Sequence, residues 1–387
     1  MKIFFYLAGE EQNGINTFAK KVSCAIQKKS LATKILLVKE KKEFSDFDPD
    51  CDIAIFQFSK SLFGDYKNAK KEFQLIAELN GNILKKSIII LHDVYYRNKK
   101  DILYSLFSMD LERKKFINKI RVFKSLCIDY FYYDRIFKVF DRNNSFFIVN
   151  SNGELDRFLN YLPMLKNRTF LIPHFLSSRI ERKCSNEKNR SYLLDKYSIP
   201  LDKKIITILG FIHKRKGHHY IPEISKSLGD EYHFIFAGAA KEPEKTQYLL
   251  PILDHAKKLS VDKRITVTGF LEDFEYDSIL FSSDMALAPF SDISASGSIS
   301  DWISVGNVPI LASRNHLTIE FSKLIKIIHL VDFNNINDIV TSINEIFRIN
   351  AVSVEPDVLS LLEERSLENT AKAYMKVIES IKLERTL

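Results

Sequence analysis

The chain has 387 residues, more than one hydrophobic core usually serves, so we expect two domains. Hydrophobic residues make up 45% and charged residues 27%, which excludes a disordered or collagen-like protein. The net charge of +8 favours a polyanionic partner: nucleic acid, an anionic membrane surface or a phosphorylated small molecule. No nucleic-acid-reading motif accompanies this charge and the basic residues are spread along the chain, so we predict no nucleic-acid partner.

The cysteines and the amino terminus indicate the compartment. The four cysteines lie far apart without metal-ligand spacing, which argues against a zinc site or a disulfide framework. We therefore expect a reducing, cytoplasmic setting. The short apolar run before Glu10 and Glu11 is typical of a first buried strand and not of a signal peptide. No apolar stretch approaches the roughly 20 residues that span a bilayer, so any membrane association is expected to be peripheral.

Short apolar runs alternate with amphipathic stretches in the amino-terminal half, a pattern typical of buried parallel strands separated by helices. The predicted strands are Ile3 to Leu7, Ala32 to Val38, Asp52 to Phe56, Ser87 to Leu91, Ser145 to Asn150 and Thr169 to Ile172. Helices are predicted at Ile15 to Lys28 and at Ala69 to Asn80. This alternation predicts one Rossmann-like domain, residues 1–175.

The same alternation resumes after a polar stretch, Ser177 to Asn189, and a short helical segment that ends near Pro200. We predict an inter-domain linker at 176–202 and a second Rossmann-like domain at 203–365. Its predicted strands are Lys204 to Leu209, His233 to Ala237, Ile265 to Thr268, Met285 to Ala288, Val308 to Leu311 and Ile327 to Val331. A helical period from Pro356 to Lys382 ends the chain, and a carboxyl-terminal helix within 366–387 is predicted to pack back towards the first domain.

Ligands of open parallel sheets bind beyond the carboxyl ends of the strands, so the loops there are the candidate sites. The loop after the first strand contains Gly14 and leads into a helix whose amides could meet an anion, but a plain glycine turn fits it equally well. His92 and Asp93 follow the strand Ser87 to Leu91. His92 could donate a hydrogen bond to a substrate hydroxyl, and a structural histidine is the alternative.

A basic loop follows the strand that ends at Leu209. It runs from Gly210 through Lys214, Arg215 and Lys216 to Gly217. A diphosphate bound here without a metal needs cationic side chains, because charged hydrogen bonds contribute about 1.5–3 kcal/mol each and a helix dipole only about 0.3–1 kcal/mol. Arg215 or Lys216 would dominate such a site, and a solvated basic turn is the alternative.

A loop of small residues, including Ser296, Gly297 and Ser298, follows the strand that ends at Ala288 and opens a helix. Its amides could cradle a phosphate, and Asp301, about one turn inside the helix, could accept hydrogen bonds from vicinal hydroxyls such as those of ribose. Gly306 is predicted to end this helix.

These two loops resemble the signature loops of retaining GT-B glycosyltransferases of family four. In that pattern a glycine and a basic loop ending in Lys-Gly precede an acidic pair and a Gly-x-Pro turn. Further segments extend the likeness over nearly the whole chain: His92-Asp93, Val149 to Ser151 with Glu154, Ile172 to His174, Val267 to Leu271, Ser283-Asp284 and Ser366 to Asn369. The resemblance implies two Rossmann-like domains whose parallel sheets face each other across a cleft, the first binding the acceptor and the second a nucleotide sugar.

The resemblance also implies roles for particular residues. Lys216 matches the lysine that holds the donor diphosphate, Asp301 the acidic residue that holds ribose, and His92 the histidine near the transferred sugar. We therefore predict His92, Lys216 and Arg215 as catalytic. The predicted donor-binding residues are Gly14, Gly210, Lys216, Gly269, Phe270, Leu271, Ser296, Gly297, Ser298 and Asp301, of which Gly269 to Leu271 match the segment beside the nucleobase.

The chain departs from the family pattern at two positions. The usual arginine after the first glycine is Phe211, which leaves Arg215 or Lys214 to supply a second cation. The first acidic residue of the pair has no clear counterpart, because Ile293 or Ser294 stands in its place. An inactive member of the family therefore stays an open alternative.

Two further segments were considered as sites. We interpret the aspartates of 46–50 as a solvated turn and not a metal site, because Pro49 and the acidic residues fit turn chemistry. Basic and aromatic residues interleave from Arg113 to Arg142, which fits a membrane-facing surface or a core with a solvated face.

The sequence thus predicts a metal-independent, retaining hexosyltransferase without a cofactor. It would move a sugar from a nucleotide-diphosphate sugar to a glycan or lipid-linked acceptor in surface polysaccharide or glycolipid assembly. The departing phosphate would take the acceptor proton in a front-face attack, because no protein nucleophile is evident. A sugar-nucleotide epimerase of the same fold and a non-catalytic nucleotide-binding or scaffold protein are the alternatives.

Overall fold

The computed structural model describes residues 2–8, 14–28, 32–38, 52–58, 87–92, 137–180, 186–200, 202–290, 296–349 and 354–384. Its chain divides into two compact units, Met1–His174 with Leu367–Leu387, and Phe175–Ser366. Several predicted features lie outside the described residues: the helix 69–80, the acidic turn 46–50, Asp93, most of the stretch 113–142, and the loop positions 9–13 and 291–295.

The first unit is built on a six-stranded sheet in which each strand pairs with its neighbours in parallel, in the order β2-β1-β3-β4-β5-β6. The strands are β1 (Lys2–Ala8), β2 (Ala32–Val38), β3 (Ile53–Phe58), β4 (Ser87–Leu91), β5 (Phe146–Val149) and β6 (Thr169–Leu171). Helices α1 (Gly14–Gln27) and α2 (Asn152–Tyr161) belong to the same unit. The strands β3, β4 and β5 are buried along their whole length, as their largely apolar sequences predict.

Aromatic side chains fill much of this unit's core. Phe58, Phe137, Phe147 and Phe158 are all buried, and Phe137 and Phe158 approach with ring centroids 5.2 Å apart. Phe147 of β5 lies 5.1 Å from Phe158 of α2. These edge-to-face and tilted ring contacts hold α2 against the sheet. Because α2 follows β5 directly, they also fix where the helix begins.

The second unit is built on another six-stranded parallel sheet, in the order β12-β11-β10-β7-β8-β9. Its strands are β7 (Lys204–Leu209), β8 (Tyr232–Ala237), β9 (Ile265–Val267), β10 (Met285–Ala288), β11 (Ile310–Ser313) and β12 (Ile328–Val331). Its helices are α3 (Asn186–Lys196), α4 (Ile221–Ser227), α5 (Leu250–Lys258), α6 (Asp273–Ser282), α7 (Gly297–Val305), α8 (His316–Ser322), α9 (Ile336–Ile349) and α10 (Pro356–Glu364). The segment 176–202, predicted as a linker, belongs to this unit and carries α3.

The stretch with a helical period, Pro356 to Lys382, forms two helices. Helix α10 ends at Glu364, and α11 (Leu367–Glu384) begins three residues later. The break falls at Arg365, whose carbonyl oxygen accepts a hydrogen bond of 2.7 Å from the Leu176 amide. Helix α11 packs against α1, and both belong to the first unit.

No helix of the described residues is long and apolar enough to cross a membrane.

Candidate functional site

The second sheet has the strand order of a dinucleotide-binding Rossmann sheet, β9-β8-β7-β10-β11-β12. The chain runs outward from β7 in one direction through β8 and β9, and in the other from β10 through β11 and β12. The loops after β7 and β10 therefore leave the sheet in opposite directions, and ligands of such sheets bind in the crevice between them. Both predicted signature loops of the second domain lie at this switch point.

A tight turn follows β7 and aims its last lysine back at the strand end. Gly210 has φ +107°, a conformation that side chains rarely adopt, and a Cβ there would lie 3.2 Å from Lys216 Nζ. His213 caps the short 3-10 helix Lys214–Lys216 by accepting a 3.3 Å hydrogen bond from the Arg215 amide. The backbone then turns through Gly217, at φ +75°.

Gly217 is also where this turn meets the loop after β10. A Cβ on Gly217 would lie 2.6 Å from the carbonyl oxygen of Pro289, so only glycine allows this approach. The contact fixes the distance between the two loops of the switch point.

The ammonium group of Lys216 is the central cation of the crevice. It donates hydrogen bonds of 2.7 Å to Ser298 Oγ and 3.2 Å to the carbonyl oxygen of Leu209, and it lies 3.9 Å from the centroid of the Phe290 ring. Burial, with the nearby charge of Arg215, lowers the Lys216 pKa to about 8, against an opposing effect of Asp301. The group is therefore still mostly protonated at neutral pH, and its positive charge is poorly solvated.

Helix α7 begins beside this ammonium. Ser296 is its N-cap and accepts a 3.3 Å hydrogen bond from the Ile299 amide, and its hydroxyl lies 3.1 Å from that of Ser298. Gly297 is exposed. Gly306 ends the helix at φ +87°, as predicted. The free amides of the first turn and the Lys216 ammonium thus lie together, which is a favourable environment for an anion.

Asp301, predicted to hold ribose, makes two protein contacts. Its Oδ1 accepts a 3.1 Å hydrogen bond from Arg179, and its Oδ2 a 2.6 Å bond from the Tyr276 hydroxyl. Arg179 also pairs with Asp277. Burial and the Asp301 charge raise the Tyr276 pKa, so the hydroxyl stays a hydrogen-bond donor at all ordinary pH values. Arg179 and Tyr276 were missed by the sequence analysis, and no local motif marks them.

The segment predicted to lie beside a nucleobase follows β9. Thr268 Oγ1 accepts a 3.0 Å hydrogen bond from the Gly238 amide, which ties this segment to the loop after β8. Gly269 turns the backbone at φ +76°, and Phe270 stands 70% exposed. Leu271 packs partly buried against the core of the unit.

The predicted substitutes for the family arginine have a different setting from Lys216. Phe211 is 55% exposed, and its ring lies 5.2 Å from the Lys241 ammonium, a cation from the loop after β8 that the sequence analysis did not single out. Lys214 and Arg215 line a separate cavity of the second unit, together with Gly217 and Arg314. Of this basic run, Lys216 alone contacts Ser298 among the described hydrogen bonds.

The corresponding edge of the first sheet holds buried polar groups, among them His92. His92 follows β4, is buried, and lies 2.7 Å through Nε2 from Gln57 Oε1 at the end of β3. Burial, followed by the proximity of His174, holds the His92 pKa well below its usual value, so the imidazole is neutral at pH 7. The His174 ring stacks on Phe18 with centroids 4.3 Å apart.

Two other predicted segments have visible structural roles. Ser151 caps α2 by accepting a 3.2 Å hydrogen bond from the Glu154 amide, and Glu154 accepts one of 2.9 Å from the Asn150 amide, a pair of bonds like those of a capping box. Asn150 also donates to the carbonyl oxygen of Leu91. Gly14 is the first residue of α1.

Among the residues that the structure describes, no group of three or more histidine, cysteine, aspartate or glutamate side chains is arranged to hold a metal ion.

Comparison with known proteins gives the fold class. No family model and no curated protein matches the sequence. The solved structure of HepE from Anabaena in complex with UDP and glucose is similar over 98% of this chain and 100% of that one, at 12% identity and TM-score 0.69. A glycosyltransferase from Rickettsia africae is similar over 98% of both chains, at 12% identity and TM-score 0.68.

A third solved structure extends this likeness. WaaG, a glycosyltransferase involved in lipopolysaccharide biosynthesis, is similar over 98% of this chain and 99% of that one, at 13% identity and TM-score 0.61. The two parallel sheets and this likeness define the class: the chain has the two-domain α/β fold of GT-B glycosyltransferases, as predicted.

Proposed function

We propose that the protein is a retaining glycosyltransferase of the family-four type that moves a sugar from UDP-sugar to an acceptor hydroxyl. The observation that carries the proposal is the Lys216 ammonium, held at the switch point of the second sheet by Leu209 and Ser298 beside the start of α7. This arrangement suits the diphosphate of a nucleotide sugar, which needs both a cation and free amides.

Lys216 and the first amides of α7 act on the leaving group. As the bond between the sugar and the diphosphate breaks, negative charge grows on the phosphate oxygen, and these donors stabilise it. Because the Lys216 charge is poorly solvated, its interaction with that oxygen is stronger than it would be in water. The charge is thus supplied by side chain and backbone, and we expect the reaction to need no metal ion.

The remaining predicted residues take positioning roles in this proposal. The Asp301 carboxylate accepts hydrogen bonds from the ribose hydroxyls. Arg179 and Tyr276, which bond to the same carboxylate, hold it in place. His92 takes the role of a neutral hydrogen-bond partner for the transferred sugar. The sugar keeps its anomeric configuration because the acceptor attacks on the face from which the diphosphate departs, and the departing phosphate takes the acceptor proton.

Known structures of the same fold support the donor class. HepE has been solved with UDP and with UDP-glucose bound, which makes UDP the first nucleotide to test. The role of WaaG in lipopolysaccharide biosynthesis supports an acceptor in surface glycan or glycolipid assembly. The proposed place of the reaction is the cytoplasmic face of a membrane.

A second candidate is a nucleotide-binding protein of this fold that does not transfer sugar. Two observations favour it: Phe211 stands where the family has arginine, and both oxygens of Asp301 are already bonded within the protein. Such a protein would bind UDP but would not cleave UDP-sugar to UDP and sugar.

A thermal-shift screen with UDP, GDP, ADP and CMP tests the donor site. We would compare wild type, Lys216→Met, which keeps the stem over Phe290 but lacks the charge, and Lys226→Ala, an exposed lysine of α4 as control. At about 100 times its dissociation constant a nucleotide adds about 2.7 kcal/mol of stability. We expect UDP to stabilise wild type and Lys226→Ala but not Lys216→Met, with no effect of EDTA.

Equal stabilisation of Lys216→Met would overturn the diphosphate site. UDP release from UDP-glucose or another UDP-sugar, measured with an acceptor mixture, then separates the two candidates: acceptor-dependent release supports transfer, and binding without release supports the second.

A further inference from the structure

A second cavity opens at the carboxyl edge of the second sheet, on the side of β11 and β12. It encloses about 530 Å³, within the range of small-molecule pockets. Its walls come from the turn after β7 and from the ends of β10, β11 and β12. Lys216 does not belong to the described lining, since its ammonium points to Ser298 on α7. The cavity thus adjoins the crevice of Lys216, with Phe290 contacting the Lys216 ammonium and also lining the cavity.

The lining of this cavity is cationic. Lys214, Arg215 and Arg314 all border it, and Lys214 and Arg314 are exposed at its rim. His219 lies in the same lining, but burial and the charge of Lys214 lower its pKa, so it is uncharged at pH 7. The described lining thus contains three cationic side chains and one carboxylate, that of Asp332.

Asp332 gives the cavity a second kind of polar group. Its Oδ1 accepts two hydrogen bonds of 2.9 Å, from the backbone amide and the side chain of Asn334. Both bonds end on the same oxygen, and the other oxygen belongs to an exposed side chain at the cavity. A carboxylate repels a simple anion such as phosphate, but its oxygen can accept a hydrogen bond from a hydroxyl group.

The remaining wall is aromatic. Tyr220 and Phe333 lie with ring centroids 5.7 Å apart, and the buried Phe290, which follows β10, also lines the cavity. Flat apolar walls of this kind pack against the carbon skeleton of a ligand, and the few polar groups at the rim orient it.

We propose that this cavity binds the phosphate monoester of a small polyhydroxylated molecule, a sugar phosphate. The phosphate lies among Lys214, Arg215 and Arg314, where charged hydrogen bonds hold it. The sugar body packs on Tyr220 and Phe333, and one hydroxyl donates to Asp332. The site is distinct from the donor diphosphate site and does not depend on the proposed transfer reaction.

Isothermal titration with glucose 6-phosphate, glucose 1-phosphate, inorganic phosphate and glucose tests the proposal. The variants are Arg314→Ala and Asp332→Asn, with Lys323→Ala, an exposed lysine after α8, as control. Arg314 and Asp332 are exposed, so the variants should fold, and their melting temperatures check this. UDP is titrated into each variant in parallel, and sugar phosphate into Lys216→Met.

We expect a sugar phosphate to bind wild type more tightly than inorganic phosphate, and glucose not to bind. Loss of one charged hydrogen bond in Arg314→Ala should weaken sugar phosphate binding at least about tenfold. Asp332→Asn should weaken sugar phosphate binding but not phosphate binding. Lys323→Ala and Lys216→Met should bind sugar phosphate as wild type does, and Arg314→Ala should keep its UDP affinity.

The proposal is overturned if neither sugar phosphate binds wild type below about 1 mM, or if Arg314→Ala binds it unchanged. Loss of sugar phosphate binding in Lys216→Met would also overturn it, because the two sites would then be one. Failure of UDP binding alone concerns the donor site and leaves this cavity untouched.

Discussion

The carboxyl edges of the two sheets differ in charge. In the described part of the first unit's edge, His92 has a depressed pKa and bonds to Gln57, Asn150 bonds to a carbonyl oxygen, and the acidic side chain of Glu154 is buried beside Asn150. In the second unit the edge carries the ammonium of Lys216 at the start of a helix. Hydrogen-bonding groups such as His92 and Asn150 suit hydroxyl groups, and a cation beside helix amides suits phosphates, so the two edges favour different ligand chemistry.

The largest effect on stability is expected at Gly217, where the two loops at the carboxyl edge of the second sheet meet. Gly217 and Gly269 have nearly the same φ, +75° and +76°, but a Cβ on Gly217 would meet Pro289 while one on Gly269 would meet nothing within 4 Å. We expect Gly217→Ala to lower the free energy of unfolding by about 3 kcal/mol and Gly269→Ala by about 1 kcal/mol. Urea denaturation measures both, and equal costs would show that the contact with Pro289 is not what requires glycine.

The charge of Lys216 predicts a pH dependence for the second edge. Its pKa of about 8 means that the ammonium predominates below pH 8 and is lost as the pH rises through that value. UDP affinity should therefore fall roughly tenfold between pH 7 and pH 9, as the protonated fraction does. Titration calorimetry measures this fall, and Lys216→Met should bind weakly with no such dependence. A flat profile in wild type would mean that this ammonium does not contact the ligand.

A smaller effect is expected for the ribose contact. Asp301→Asn should weaken UDP binding about fivefold and pyrophosphate binding less than twofold, because the proposed contact of Asp301 is with the ribose hydroxyls, which pyrophosphate lacks. Asp277→Asn is the matched control, since Asp277 pairs with the same Arg179. UDP affinities are measured by calorimetry. Equal losses of affinity in the two variants would show that Asp301 acts only by pairing with Arg179 and does not contact the ribose.

The smallest effect on nucleotide affinity is expected from the first edge. His92→Ala should change UDP affinity less than twofold and lower the rate of sugar transfer at least about tenfold. His233→Ala removes another buried histidine, one that bonds to Thr266 in the second unit, and controls for lost stability. Similar rates of sugar transfer in the two variants would show that His92 has no specific role in the reaction.

Much of the fold was predictable because parallel strands buried on both faces read as continuous apolar runs. The predicted bounds of β2, β4, β7 and β10 are those of the structure, and the predicted β11 began two residues early, before Pro309, which cannot donate to the sheet. The helical period from Pro356 to Lys382 did not itself show the break at Arg365, whose carbonyl oxygen accepts a hydrogen bond from the amide of Leu176, a residue distant in the sequence.

Only those residues of the candidate site that lie in local sequence motifs were predictable. A basic loop between a strand and a helix marked Lys216, and a small-residue loop marked Ser296 to Ser298. The partners of Asp301 were not visible, because Arg179 lies 122 positions away in the sequence. Nor could the sequence show that Lys214 and Arg215 border a different cavity from the crevice of Lys216, since one turn of 3-10 helix sets their directions.

Amide hydrogen exchange with and without UDP tests most directly the claim that the nucleotide binds at the switch point of the second sheet. The account predicts slower exchange in two segments, 210–217 after β7 and 296–301 at the start of α7, while the ends of β11 and β12 exchange as before. Protection confined to residues 313–314 and 331–334, or to the edge that holds His92, would contradict it.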